Sequence, residues 1–468
     1  MRGFPDNLFS GARFAVLGLG RNGWPAAQAL AAMGAEVVAW DDNEAARHEH
    51  APAAHITIAD LQTARFAFDA LILSPGIPHL LPKPHPVAAR ARAAGVPILS
   101  DAELLFQAVR RAGSKARFVG ITGTNGKSTT TALTAHVLKT HLEAEGSQLP
   151  PLPRVGGEGG VRRDASALIA AGANLGPAAL ALPLLPDDGL YVLEMSSYTL
   201  ERLVTLRFNA ATILNLTPDH LDRHGDMAGY AAAKRAIFDR QTQDDLAVIG
   251  IDDEPSGEMA AWLRTRPARV VTISGRDSLH LTAKAPALPG THNAQNAAAA
   301  AALAAFFGVP DPAIARGIET FPGLPHRQQR VATINGITFI NDSKATNADA
   351  AGRALGCHDR LIWIAGGIAK AGGIVPLAPY FPRIAHAFLI GRDAPALAAT
   401  LREAGVPYTI IGTLEVAVPG AFATARAAAA PVILLSPACA SFDQFSGFDA
   451  RGDRFAALVH TLMQEQAA

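Results

Sequence analysis

Gly123-Thr124-Asn125-Gly126-Lys127-Ser128-Thr129 is the sharpest chemical signal in the chain. It follows the apolar run Phe118–Ile121 and precedes a helical stretch, Thr130–Leu138. Glycines let backbone N–H groups close around phosphate oxygens, and the N-terminus of the following helix adds a positive dipole end. Lys127 suits β- and γ-phosphates, and the Ser128 hydroxyl suits Mg2+. The general phosphate-loop pattern has its first glycine where this chain has Ile121, so the match is incomplete. A glycine-rich turn with no nucleotide is the alternative.

A second glycine loop, Gly18-Leu19-Gly20-Arg21-Asn22-Gly23, follows the run Phe14–Leu17, with Asp41 and Asp42 after the next β-type run. This fits a dinucleotide fingerprint and NAD, yet the same geometry holds any diphosphate. Ser74-Pro75-Gly76-Ile77 follows Leu71–Leu73 and either offers further backbone donors on that sheet edge or is a plain turn.

Other groups fall at the ends of β-type runs. Glu194 ends Leu190–Leu193, where nucleotide-hydrolysing folds place an acidic Mg2+ ligand. His220, past Ala211–Leu216, is either structural or an atypical ligand, since Mg2+ prefers oxygen. Helical spacing sets Lys234 on one stripe with Tyr230, Ile237 and Phe238, so it either snorkels to water or has a buried partner; Arg235 points away. Further on, His326-Arg327, Asn341-Asp342-Ser343-Lys344-Ala345-Thr346, Gly366–Lys370 and Ser436–Phe445 are four polar clusters in a block of low charge, which favours a ligand-facing edge. Cys439 reads as a small buried residue, because nothing near it activates a thiolate.

Short β-rich runs alternate with alanine-rich helical stretches throughout, which predicts mostly parallel sheets with ligands beyond the carboxyl ends of their strands. The 468 residues suffice for about three such blocks, with breaks near Gly113 and at Phe321–Pro325. Gln148–Gly160 reads as a loop of three prolines and four glycines. Lysine plus arginine and aspartate plus glutamate both total 41, which argues against binding nucleic acid or a membrane through a general basic field. Two cysteines exclude a disulfide scaffold and fit a reducing compartment. The start, Met1–Asp6, lacks the apolar region of a signal peptide, and no run is long enough to span a bilayer, so a cytoplasmic location is expected.

Taken together, these residues resemble the Mur ligases over nearly the whole chain. The most specific are Thr122–Thr129, Asp219-His220 followed by Lys234, Gly290–Asn296, Asn341–Thr346 and Ser436–Ser441; the last two resemble the branch that adds D-glutamate. The resemblance implies an α/β protein of three domains. Residues 1–113 would form a Rossmann-like domain that holds UDP, not NAD, through Gly18, Leu19, Gly20, Asn22, Gly23, Asp41, Asp42, Ser74 and Gly76. Residues 114–323 would form a P-loop ATPase-like parallel-sheet domain, and 324–468 a Rossmann-like domain for ATP and the incoming amino acid.

It also implies roles. Lys127, Glu194, His220 and Lys234 would be catalytic. Ser128, Glu194, His220 and Lys234, the last carbamylated by CO2, would serve two Mg2+ ions. ATP would meet Gly123–Thr129, Asn293, Asn296, Arg327, Asp342 and Lys344. Asn174, in Gly-Ala-Asn-Leu-Gly where the family usually has Gly-Gly-Asn-Ile-Gly, would touch the muramoyl substrate. Thr346, Lys370, Ser441, Phe442 and Phe448 would hold D-glutamate. The implied activity is ATP-dependent amide formation on UDP-N-acetylmuramoyl-L-alanine through an acyl-phosphate, in peptidoglycan precursor synthesis, by a monomer that closes about hinges near residues 113 and 323. A folylpolyglutamate synthase-like ligase is the nearest alternative. An NAD-dependent dehydrogenase, resting on Gly18–Gly23, and a non-catalytic nucleotide-binding regulator come from other classes.

Overall fold

The computed structural model describes residues 3–50, 53–145, 167–370 and 372–467; the proline- and glycine-rich run 148–160 lies outside them. Three sheets organise the described chain. In the first, β1 (Arg13–Leu17), β2 (Glu36–Trp40), β3 (Ile56–Ile58), β4 (Ala70–Leu73) and β5 (Ile98–Leu99) lie in the order β3-β2-β1-β4-β5, all parallel. The order reverses between β1 and β4, and a crevice opens beyond the carboxyl ends of strands at such a point.

The second sheet contains β6 (Arg117–Thr122), β7 (Ile169–Ala173), β8 (Leu190–Glu194), β9 (Ala210–Ile213), β10 (Leu246–Gly250) and β11 (Arg269–Ile273), in the order β11-β10-β9-β6-β8-β7. All its pairings are parallel. β8 and β10 are buried along their whole length, as parallel strands covered on both faces must be. β9 ends at Ile213, so Leu214–Leu216 belong to the following loop and not to the strand.

The third sheet has β12 (Gln329–Ile334), β13 (Ile337–Asn341), β14 (Leu361–Gly366), β15 (Ile384–Ile390), β16 (Tyr408–Gly412) and β17 (Val432–Leu435), in the order β12-β13-β17-β14-β15-β16. Only β12 runs antiparallel, paired to β13 as a hairpin, which puts His326-Arg327 ahead of a strand and not after one.

Packing groups the chain into two compact units: Met1–Lys284 with Asn293–Thr320, and Ala285–His292 with Phe321–Ala468. The first two sheets lie in one unit. The helix Asp101–Arg111 packs into a single apolar core with residues of both, Phe14, Val16 and Ile72 of the first and Phe118 and Tyr191 of the second. Ser100 caps it by accepting from Glu103 N at 3.2 Å. Phe106 meets Phe118 of β6 edge to face at 5.3 Å, and Phe118 stacks on Tyr191 of β8 at 4.7 Å. Such pairs contribute about 0.5–1.5 kcal/mol each beyond simple burial. The Glu103 carboxylate, fully buried, accepts from the backbone N–H groups of Val204, Thr205 and Leu206 at 2.9–3.0 Å. Burial pushes its pKa up, but the hydrogen bonds from Thr205, Gln107 and this turn outweigh burial and leave it lowered.

Candidate active site

The first cleft opens where the order of the first sheet reverses. It has a volume of about 530 Å3 and brings together Gly18, Gly20, Asn22, Asp41, Asp42, Ser74, Gly76 and, from the second sheet, Asn174. Leu19 and Gly23 do not line it. The Leu19 side chain is buried in the core, and Gly23 starts a helix tight against the Gly18 carbonyl. Both carboxylates are engaged locally. Asp41 accepts from Leu19 N at 2.7 Å and from Asn43 N at 2.9 Å, which fixes the glycine loop. Asp42 accepts from His85 Nε2 at 2.7 Å. His85 Nδ1 accepts from Val87 N at 3.2 Å, so the ring proton is on Nε2 and donates. That hydrogen bond holds the Asp42 carboxyl below its usual range. Arg21 and His85 also line the cleft. Arg21 was visible inside the glycine loop, whereas His85 gave only the signal of a helix cap before Pro86.

The second constellation surrounds the loop between β6 and the helix Lys127–Glu145. Gly126 has φ +87°, and a Cβ there would sit 2.3 Å from Asn296 Oδ1, so a side chain cannot be accommodated without displacement. Asn215 laces the loop from behind: its Oδ1 accepts from Asn125 N at 2.8 Å and its Nδ2 donates to Asn125 O at 3.1 Å. Sequence reasoning missed this residue. Asn296 donates to Asn293 Oδ1 at 3.0 Å, which places both asparagines beside the loop. Lys127 Nζ donates to Gly123 O at 3.0 Å and Thr124 O at 2.7 Å.

One carboxylate joins the two sites. Glu194 Oε2 accepts from Ser128 Oγ at 2.6 Å, and Glu194 Oε1 accepts from Asn174 Nδ2 at 2.8 Å. Beside it, Lys234 is 1% exposed and donates from Nζ to Gly123 O at 2.9 Å and Thr122 Oγ1 at 3.3 Å. Burial, then the charge of Lys127, pulls its pKa well below the usual lysine value, against the opposing pull of Asp219 and Glu194. His220 adopts a left-handed conformation at φ 54° next to Asp219, with its ring 5.0 Å from that of Tyr198. Arg235 is exposed, its guanidinium 4.7 Å over Trp262. Among the described residues, no group of three or more His, Cys, Asp or Glu is arranged to hold a metal ion.

The third sheet collects its polar loops at one edge. Asp342 is buried and accepts from Ser436 Oγ at 2.7 Å and Gln328 N at 3.1 Å. Burial raises its pKa to about 7 against those hydrogen bonds and Arg327. Lys344 Nζ lies 3.8 Å over the Phe448 ring. The loops carrying Lys370 and Ser441 are bridged by Ile368 N donating to Ala440 O at 2.8 Å. Arg451, absent from the sequence reading, is 1% exposed and binds Ser343 O and Cys439 O, so it ties the same loops together. Phe442 points outward at 72% exposure, Lys370 is exposed and Thr346 half-buried. Cys439 is buried and burial pushes its thiol up to about 12, which makes it inert.

A glycine-rich loop on a parallel sheet, a carboxylate at the adjacent strand end and a cleft at the reversal point of a separate sheet fit an ATP-driven ligase of the Mur type. The chain belongs to the Mur ligase family: the Mur ligase middle domain matches residues 121–286, and the Mur ligase glutamate ligase domain matches residues 326–439. A UDP-N-acetylmuramoylalanine–D-glutamate ligase of Paramagnetospirillum magneticum is 48% identical over 98% of this chain and 99% of its own, and one of Rhodospirillum rubrum is 45% identical over 99% and 98%. The solved UDP-N-acetylmuramate-alanine ligase of Thermotoga maritima shares the fold, with a TM-score of 0.56 at 18% identity over 96% of this chain and 99% of that one. No helix among the described residues is long and apolar enough to cross a membrane.

Proposed function

We propose that this protein joins D-glutamate to UDP-N-acetylmuramoyl-L-alanine with ATP, in peptidoglycan precursor synthesis in the cytoplasm. The observation that carries this reading is Glu194, whose two oxygens bind Ser128 of the phosphate loop and Asn174 of the nucleotide-sugar cleft. A nucleotide held by the loop and a phosphoryl acceptor, the alanyl carboxylate, held in the cleft would meet at that carboxylate. The NAD alternative rests on the first cleft alone and leaves this bridge unexplained.

The reaction must bring a triphosphate and a carboxylate together, two anions that repel. The alanyl carboxylate oxygen attacks the γ-phosphorus, ADP leaves, and an acyl-phosphate forms. The D-glutamate amine then attacks the acyl carbon, and phosphate leaves as the amide forms with loss of a proton. Lys127, whose ammonium sits at the loop on Gly123 O and Thr124 O, neutralises the β/γ-phosphates. Asn174 and Glu194 fix the reacting end of the acceptor. Asn293 and Asn296 back the loop. Asp342, Lys344 and Arg327 bind the nucleotide from the third sheet, while Thr346, Lys370, Ser441, Phe442 and Phe448 hold the amino acid.

The donor chemistry suits Mg2+, which favours one or two carboxylates plus substrate phosphates over an all-protein cage. Ser128 and Glu194 offer hard oxygens 2.6 Å apart, and His220 and Lys234, the latter as its carbamate, would complete the residues that hold the ions. When bound, Mg2+ offsets the repulsion between the two anions. We assign three functional domains, 1–113, 114–323 and 324–468, acting as a monomer.

The test is phosphate release from ATP with UDP-N-acetylmuramoyl-L-alanine and a panel of amino acids that includes both glutamate enantiomers. Release only with the nucleotide sugar and D-glutamate together is the expected result. Turnover with a folate acceptor, or nicotinamide reduction without ATP demand, would sink the proposal.

A further inference from the structure

Behind the nucleotide-sugar cleft, two arginines reach the loop that follows β4. Arg202 is 3% exposed; its Nη1 donates to Leu73 O at 2.6 Å and its Nη2 to Pro75 O and Ile77 O at 3.4 Å each. Arg223, in the short helix Leu221–His224, donates from Nη1 to Gly76 O at 2.9 Å and from Nη2 to Ile77 O at 3.3 Å. The remaining carbonyl of the stretch, Ser74 O, accepts from Ile77 N at 3.0 Å, while Ser74 Oγ donates to Gly18 O at 2.9 Å. Every carbonyl from Leu73 to Ile77 therefore has a donor, and four of the five receive one from a guanidinium.

The same segment, Ser74 to Ile77, lines the cleft. A diphosphate is attracted by N–H groups and cations and repelled by carbonyl oxygens. In a trans peptide the C=O and N–H point in opposite directions, so pulling Pro75 O towards Arg202 aims Gly76 N–H the other way. Burial draws the Arg202 guanidinium down to about 10, and it stays cationic at neutral pH. Burying such a charge is costly and is weak evidence for stability, so a functional return is sought.

We propose that Arg202 and Arg223 are positioning residues for the diphosphate of the nucleotide-sugar substrate. They hold the carbonyls of residues 73–77 away from the anion and set two positive charges behind its seat. They also tie that seat to the turn bearing His220, since Arg223 lies three residues beyond it. The proposal rests on the nucleotide-sugar reading above and adds two residues outside the cleft wall to it.

Arg202→Met, Arg202→Lys and Arg223→Gln in the full chain test it by steady-state kinetics and by titration with UDP. Arg202→Met and Arg223→Gln should raise the KM for UDP-N-acetylmuramoyl-L-alanine and the Kd for UDP about tenfold, the effect of one lost charge-assisted contact. The kcat and the KM values for ATP and D-glutamate should stay within about twofold. Arg202→Lys keeps the charge but bridges fewer carbonyls, so it should fall between wild type and Arg202→Met. A merely structural clamp would move all three KM values and the unfolding temperature together, and that outcome overturns the proposal. So does a fall in kcat with KM and Kd unchanged. If Arg202→Met does not fold, Arg223→Gln, at a partly exposed position, decides the matter. A wild-type chain that fails to bind UDP removes the nucleotide-sugar reading itself, whereas tight UDP binding unaltered in the variants removes only the arginine pair.

Discussion

At the residue scale, Lys234 is the position where burial and chemistry coincide. Burial and the nearby Lys127 both disfavour the charge on its amine and so favour the neutral form. A neutral amine can attack CO2, lose a proton and become a carbamate, turning a buried base into an oxygen ligand. Lys234→Ala should lower ligation at least a hundredfold, with partial recovery on adding formate or acetate; full activity without additive would refute the carbamate. Asp342 supplies a pH test. Its folded pKa is about 7 against an ordinary 3.8, so folding favours the protonated form. That contribution is intact below about pH 4 and is lost as pH rises through 7, with a slope of at most about 1.4 kcal/mol per pH unit. Urea unfolding of the wild type and Asp342→Asn at pH 5 and pH 8 should show the wild type losing ground to the variant at the higher pH; an equal gap at both would contradict the burial argument. Lys234 was legible in the sequence because Tyr230, Ile237 and Phe238 marked an apolar stripe. Asn215 was not, since its role exists only once the chain brings it to Asn125 across 90 residues.

At the scale of elements, strands were easier to read than the loops that join them. Apolar β-branched runs flanked by helical stretches report parallel strands directly, and the glycine loops report their turns. Sequence could not tell which glycines face a ligand and which serve packing. Gly23 illustrates the difference: a Cβ there would lie 1.7 Å from Gly18 O, a backbone atom with nowhere to go. The third glycine of such a loop lets helix and strand approach closely, and Gly18 cannot yield without moving the wall of the cleft. Gly23→Ala should raise the KM for the nucleotide sugar more than tenfold and lower the unfolding temperature by several degrees, leaving the KM for ATP near wild type. A variant that binds UDP normally would show that the loop tolerates the extra atom. The hairpin β12–β13 was not legible as an antiparallel pair because alternation of strands and helices predicts mostly parallel sheets and does not say where an exception falls.

At the scale of the whole molecule, a zero formal charge means that highly charged small substrates are handled by a few placed groups and not by a general field. Motifs divide the chain by ligand, whereas packing divides it by contact. Phe106 on Phe118 and Glu103 on the 204–206 turn carry no chemical signal, yet they fasten the helix Asp101–Arg111 to the second sheet's block within the unit that holds both of the first two sheets. That grouping has a thermodynamic consequence. Every residue lining the first cleft lies in the unit Met1–Lys284 with Asn293–Thr320, so a ligand of that cleft stabilises this unit directly. UDP at about a hundred times its Kd should contribute about 2.7 kcal/mol. At roughly 2–4 °C per kcal/mol for 150–250 residues, and less for a larger unit, the gain is a few degrees. Scanning calorimetry should therefore resolve two transitions, of which UDP raises one while the other stays in place. Asp342→Asn should shift the one that UDP leaves alone, since Asp342 belongs to the unit Phe321–Ala468 with Ala285–His292. A single transition that UDP raises as a whole would mean that the two units unfold as one.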